Sequence, residues 1–269
     1  MIDTSHIIQN LEAARRLAFP DFEKIVLEPA AVRILVHAFL HPGCKADVNL
    51  ATFLTGAPVL LSDISPHIIT AFPSQVALFA RRKGTTTVSA ADLLECYALD
   101  HADQVEENQI ALAMEPSYAL AHVLTIGTVK NIRGVGIRQL IDLEALVCRQ
   151  RVTFSHVLVP TGVSVKNNSV VFHHFGVVLA AADTKALRLL ARKLQLEQNK
   201  KSFLRKITKQ IIGANISSID YAKESFFKVD MTGKLIKESK KDFDFQKLWQ
   251  EEDLQKIKIP KEARVMFQS

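Results

Sequence analysis

Cysteine is scarce. Cys44, Cys96 and Cys148 are odd in number and far apart in a chain of 269 residues. They exclude a complete disulfide framework, and no two of them share a metal-ligand spacing. Reduced thiols and a cytoplasmic location are therefore expected. Glycine and proline are also few, at 10 and 9, against 48% hydrophobic residues, so disorder is not expected over most of the chain. Long hydrophobic runs are missing too. The two longest, 118–129 and 170–182, fall short of the ~20 residues of a membrane-spanning helix, and the second contains His173 and His174. Residues 1–20 carry Asp3 and Glu12 ahead of any apolar run, which does not fit a secretory signal.

What is present reads as an α+β protein in three parts. Residues 1–150 read as a helical domain. Helices are expected over 6–18, 29–41, 46–55, from Ser74 to Gly84, from Ser89 to about Met114, over 117–131 and over 137–150. The clearest local signal is Ser89-x-x-Asp92, which resembles a capping box, with Val88 placed to staple onto Leu93. At Arg151 the periodicity changes to two, which predicts a small mixed or antiparallel sheet with packed helices over 151–213. A strand over 169–182 is expected to form a hairpin with 163–166 around Asn167-Asn168. The third part, 214–269, reads as a charged hairpin and helix (226–237 and 242–256) packed on the second.

The positive charge is concentrated in one place. Segment 183–209 holds nine basic residues against Asp183 and Glu197, a net +7, whereas the whole chain has 34 against 28, a net +6. Two helices are expected there, 184–198 and 200–212. Lys185, Arg188, Arg192 and Lys193 mark one exposed face, opposite Leu187, Leu190, Ala191 and Leu194. Lys201, Arg205, Lys206 and Lys209 mark the other, opposite Phe203, Leu204, Ile207 and Ile211. Like charges spaced at i+4 repel, and an acidic macromolecule would offset that cost. Phe203 is the one aromatic among these cations and falls on the apolar side, which argues against base stacking on a single strand.

Other constellations read as structural. His37 and His41 share a helical face, with Cys44 and Asp47 following, but no Glu adjoins His37. No metal is assigned, and His41 is expected at a helix end. His173 and His174 should point to opposite faces of a strand, one buried and one exposed. Without an identifiable Ser or Cys partner, a structural role is expected for both. Arg133, Gly134, Gly136 and Arg138 form a possible anion site at a helix N-terminus, although Gln139 stands where a dinucleotide fingerprint needs its third glycine.

Residues 152–207, through VVLAAADTKALRLLARKL, are similar to the strand–strand–helix half of the enzyme IIA domains of sugar phosphotransferase systems. The phospho-accepting histidine of those domains sits in an Ile-Pro-His loop, a motif missing here, so no activity follows. The sequence as a whole predicts a non-enzymatic binding or assembly protein, without cofactor, whose 183–209 surface meets an acidic protein or a nucleic-acid backbone. An enzyme acting on a phosphorylated or anionic small molecule, and a structural subunit of a larger complex, are the alternatives.

Overall fold

The computed structural model describes residues 12–39, 48–68, 70, 72–112, 116–133, 139–213 and 218–221. The protein is α+β, and its helices precede a sheet region. The first part holds α1 (residues 12–18), α2 (Pro29–Ala38), α3 (Leu61–Ile64), α4 (Phe72–Lys83), α5 (Ala90–Leu112) and α6 (Pro116–His122). Three two-residue strands, β1 (Val26–Leu27), β2 (Val59–Leu60) and β3 (Thr87–Val88), tie this part together in the order β2-β1-β3.

Local chemistry explains the helix starts. Pro29 occupies the first turn of α2, where its missing N–H costs nothing. The capping box before α5 forms: Ser89 Oγ accepts the Asp92 N–H at 3.2 Å, and the Asp92 carboxylate accepts the Ser89 N–H at 3.1 Å. Arg15 lies near the end of α1, beside Arg16. It is 1% exposed. Its guanidinium pairs with Glu12 and donates to Ser74 Oγ and the carbonyls of Ser65 and Thr70, while Ser65 Oγ donates to Glu12 at 2.7 Å. This buried pair joins α1 to the start of α4.

The sheet begins at Thr125, inside the stretch where spacing predicts helices over 117–131 and 137–150. Those residues form β4 (Thr125–Arg133) and β5 (Gln139–Val147), followed by β6 (Gln150–Val159). Runs such as Leu140-Ile141-Asp142-Leu143 suit a buried strand as well as a helix, and cross-strand pairing decided between them. The expected single strand 169–182 is two strands, β7 (Val170–His174) and β8 (Val177–Ala181). Phe175 and Gly176 both have positive φ, +45° and +78°, and so make the two-residue turn that matches strand twist. Residues 163–166 are not a strand; Asn167-Asn168 still turns the chain, with Asn168 at φ +66°. The hairpin 226–237 and the helix 242–256 lie outside the described residues.

The strands close on themselves. β4 pairs antiparallel with β5 and β7, β5 with β6, and β7 with β8. β6 meets β8 in parallel at Leu158↔Val177, which completes a five-stranded barrel. A short strand, β9 (Ser218–Asp220), lies parallel to β6 at Thr153–Ser155. One apolar cluster fills the barrel with Val129, Leu143, Phe154, Val171 and Val178 and extends to α6 and to α8 (Ser202–Gly213). A second lies outside the barrel wall, where Phe172 and Leu179 join α2, α4, α5 and α7 (Lys185–Lys200). Gly127 sits where a Cβ would come 3.3 Å from Leu143 Cβ and 3.4 Å from the Glu144 carbonyl.

Two stability outcomes follow. Gly127→Val should destabilise the fold by about 1–3 kcal/mol through overpacking of β4 on β5. Arg15→Ala should cost about 3–5 kcal/mol because it leaves the Glu12 carboxylate buried without its partner. Urea unfolding midpoints of both variants, compared with the parent, check these values.

Candidate functional site

The two basic helices form where the charge pattern places them. α7 starts at Thr184, whose Oγ1 accepts the Leu187 N–H at 3.2 Å. Ala191 and Leu194 are buried and Leu187 and Leu190 half-buried, all packed on the helical cluster. Gln198 is buried with them and donates to the Leu124 carbonyl at 2.6 Å and the Ala98 carbonyl at 3.3 Å, which locks α7 to α5 and to the start of β4. In α8, Phe203, Leu204, Ile207 and Ile211 are buried. Lys201, in extended conformation between the helices, turns the chain. α7 then rests on α5 and α8 on α6.

The eight cations expected at this surface divide into three groups. Lys193 pairs with Glu95 at 2.9 Å, and Lys201 pairs with Asp103, so α5 neutralises two of them. Burial pushes the Glu95 carboxyl up, but hydrogen bonds from Lys83 and Lys193 outweigh it and hold that carboxyl below its usual range. Arg188 and Arg205 donate to the carbonyls of Asp183 (2.6 Å) and Lys200 (3.2 Å) rather than to a carboxylate. Lys185, Arg192, Lys206 and Lys209 are exposed and make no ion pair among the described residues. The charge pattern alone did not single out Leu189 and Leu196, which are 56% and 64% exposed on α7. With Lys185 and Arg192 they recur at i, i+4, i+7 and i+11, so leucine and cation alternate along one outward stripe.

A second polar cluster lies on the barrel. β6 carries a bulge opposite Asp142, and His156 sits in it at φ +59°. There β6 exchanges one edge partner, β9, for the other, β8. His156 Nδ1 bonds Asp220 Oδ1 at 2.6 Å, and Arg133 Nη1 donates to His156 Nε2 at 2.8 Å. Arg133 Nη2 also donates to Asp142 Oδ2 at 2.5 Å. An acceptor role for Nε2 puts the ring proton on Nδ1, directed at Asp220. The arrangement clamps β9 to the barrel, and Arg133 is spent on Asp142 and His156. Of the expected anion site, Gly134, Gly136 and Arg138 lie outside the described residues. Arg133 ends β4, and the next described element is the strand β5, where a helix was expected.

The histidines of the apolar strand are both buried, at 0% and 1% exposed, where one was expected at the surface. The wall they stand in is covered on both sides. His173 faces the barrel interior beside Phe154 and Tyr221; its Nε2 accepts the Gly176 N–H at 2.9 Å, and its Nδ1 bonds Thr125 Oγ1 at 2.7 Å. His174 faces the helices, against Tyr97, His101 and His122. Arg133 and His173 lie at opposite ends of β4, about 26 Å apart at the usual strand rise. His37 is buried with its Nδ1 3.4 Å from the Leu179 carbonyl, whereas His41, Cys44 and Asp47 lie outside the described residues. Among the described residues no group of His, Cys, Asp and Glu is arranged to hold a metal ion, and no helix is long and apolar enough to cross a membrane.

Burial holds four histidines neutral. It lowers His37 and His101 to about 4 and His122 and His173 to about 3, from 6.5. The unfolded chain therefore binds protons below pH ~6.5 that the fold refuses, and stability falls with acidification. Each group removes about 1.4 kcal/mol per pH unit between its unfolded and folded values. Acid unfolding followed by circular dichroism should begin near pH ~5.5, well above carboxylate titration, and His101→Phe should move the midpoint to lower pH. A flat stability between pH ~7 and ~5 contradicts this assignment. Compared with protein-family models, with curated proteins and with solved structures, the chain matches none.

Proposed function

We propose that this chain is a non-enzymatic binding or assembly protein of a reducing, cytoplasmic setting, and that it docks an acidic protein segment on the outward face of α7, with Lys206 and Lys209 of α8 adding charge. The observation that carries the reading is the alternation of Lys185, Leu189, Arg192 and Leu196 on one exposed stripe. Nucleic-acid phosphate would satisfy the cations and leave two large leucines in water. An amphipathic acidic segment satisfies both, with carboxylates over Arg188 and Arg192 and apolar side chains over the leucines. The free, unpaired thiols of Cys96 and Cys148 fit the compartment.

The test compares an acidic peptide bearing leucines, a polyglutamate of equal charge and a DNA duplex, each titrated by calorimetry across a salt series. The leucine-bearing peptide should bind most tightly and weaken as salt rises. Arg188→Glu with Arg192→Glu should reduce its affinity about tenfold or more, and Leu189→Ser with Leu196→Ser should reduce it by a similar factor without changing the salt slope. Equal binding of DNA and peptide, or binding that survives the charge reversal, contradicts the proposal.

A further inference from the structure

We infer that the chain carries its own occupant for the α7 face: residues 242–254, DFDFQKLWQEEDL, dock on Lys185, Arg188, Leu189, Arg192 and Leu196 and compete with any external partner. The inference rests on the proposed α7 docking face and names the first ligand it would take.

Three observations support it. The first is charge. Asp242, Asp244, Glu251, Glu252 and Asp253 stand against Lys247 alone, which makes this the most acidic stretch of a tail otherwise rich in lysine. The α7 stripe is basic, and its Lys185 and Arg192 have no carboxylate partner among the described residues. The second is pattern. Phe245, Leu248 and Trp249 recur at i, i+3 and i+4, with Asp244, Glu251 and Glu252 beside them. That is the complement of a stripe in which Leu189 and Leu196 alternate with cations.

The third is reach. Tyr221, the last described residue, donates its N–H to the Ser155 carbonyl. The C-terminal end of α7 touches the same β5–β6 hairpin, where the Cys148 N–H donates to Asn199 Oδ1 at 2.9 Å. The six strand residues from Gln150 to Ser155 lie between these two anchors, about 20 Å at the usual rise. The 20 residues 222–241 span about 25 Å as a flexible chain and more when extended. Tethering over such a distance gives an effective concentration on the order of millimolar, so a contact too weak to persist between separate molecules is well populated within one.

Trp249 is the one tryptophan of the chain, so its emission reports the contact in the intact protein. Docked against leucines, Trp249 should emit at shorter wavelength and be less quenched by acrylamide than in a synthetic 242–254 peptide. Arg188→Glu with Arg192→Glu, and separately Leu189→Ser with Leu196→Ser, should each shift the emission red and raise quenching to the level of the free peptide, with unchanged circular dichroism. Peptide-like quenching in the parent protein overturns the inference, and so does shielding that neither variant reduces. To separate the two claims, the peptide is also titrated into the full chain carrying Asp242→Lys, Asp244→Lys, Glu251→Lys and Glu252→Lys. Binding there, with Trp249 unshielded in the parent, leaves the α7 face standing and the self-docking refuted. No binding of this peptide or of any acidic peptide refutes the face itself.

Discussion

Val171 and Val178 point into the barrel while Phe172 and Leu179 point at the helices, so the β7–β8 hairpin is buried on both faces. That two-sided burial is the constraint on which the rest depends. A strand pair with no solvent face reads as one continuous apolar run. It must also satisfy any polar group it contains internally. His173 does so through Thr125 and Gly176. Burial depresses the basicity of His173 inside the barrel and, on the helical side of the same wall, that of His101 and His122.

The helical layer and the barrel are joined by the same logic at the edges. α2 packs on β8, and α7 spans from α5 to the first strands through its buried glutamine. Lys193 and Lys201 reach acids on α5 that are 98 residues away in sequence. These pairs spend part of the basic segment on holding the fold together. The charge left over is narrower than the net +7 of 183–209 suggests, and the leucines between the remaining cations give it chemical character. A surface of cations alone would suit any polyanion, whereas the proposed partner of this stripe is acidic and apolar at once.

The left-handed backbone of His156 has a comparable structural explanation. β6 must leave β9 and reach β8 within a few residues, and a bulge supplies the bend. The side chain placed there links Asp220 to Arg133 and Asp142. The bulge and the polar network together hold β9, the last described strand, against β6.

Local signals were legible wherever a few neighbouring residues decide the outcome. The Ser89–Asp92 capping box, the start of α2 at Pro29, the basic helices with their apolar sides and the α+β class all follow from spacing and cap chemistry. Residues 125–147 were not legible, because a short apolar run with scattered polar residues fits helix and strand alike until it finds pairing partners. The turn at Phe175-Gly176 was hidden within an apolar run for the same reason. Arg15, His156 and the pairs made by Lys193 and Lys201 depend on residues 50 to 98 positions away, which no window of sequence contains. Sequence by itself thus determined where charge and apolar surface lie along the chain, because those are properties of single residues and their period. Tertiary structure alone decided which of them remain exposed, because exposure is whatever packing has left uncovered.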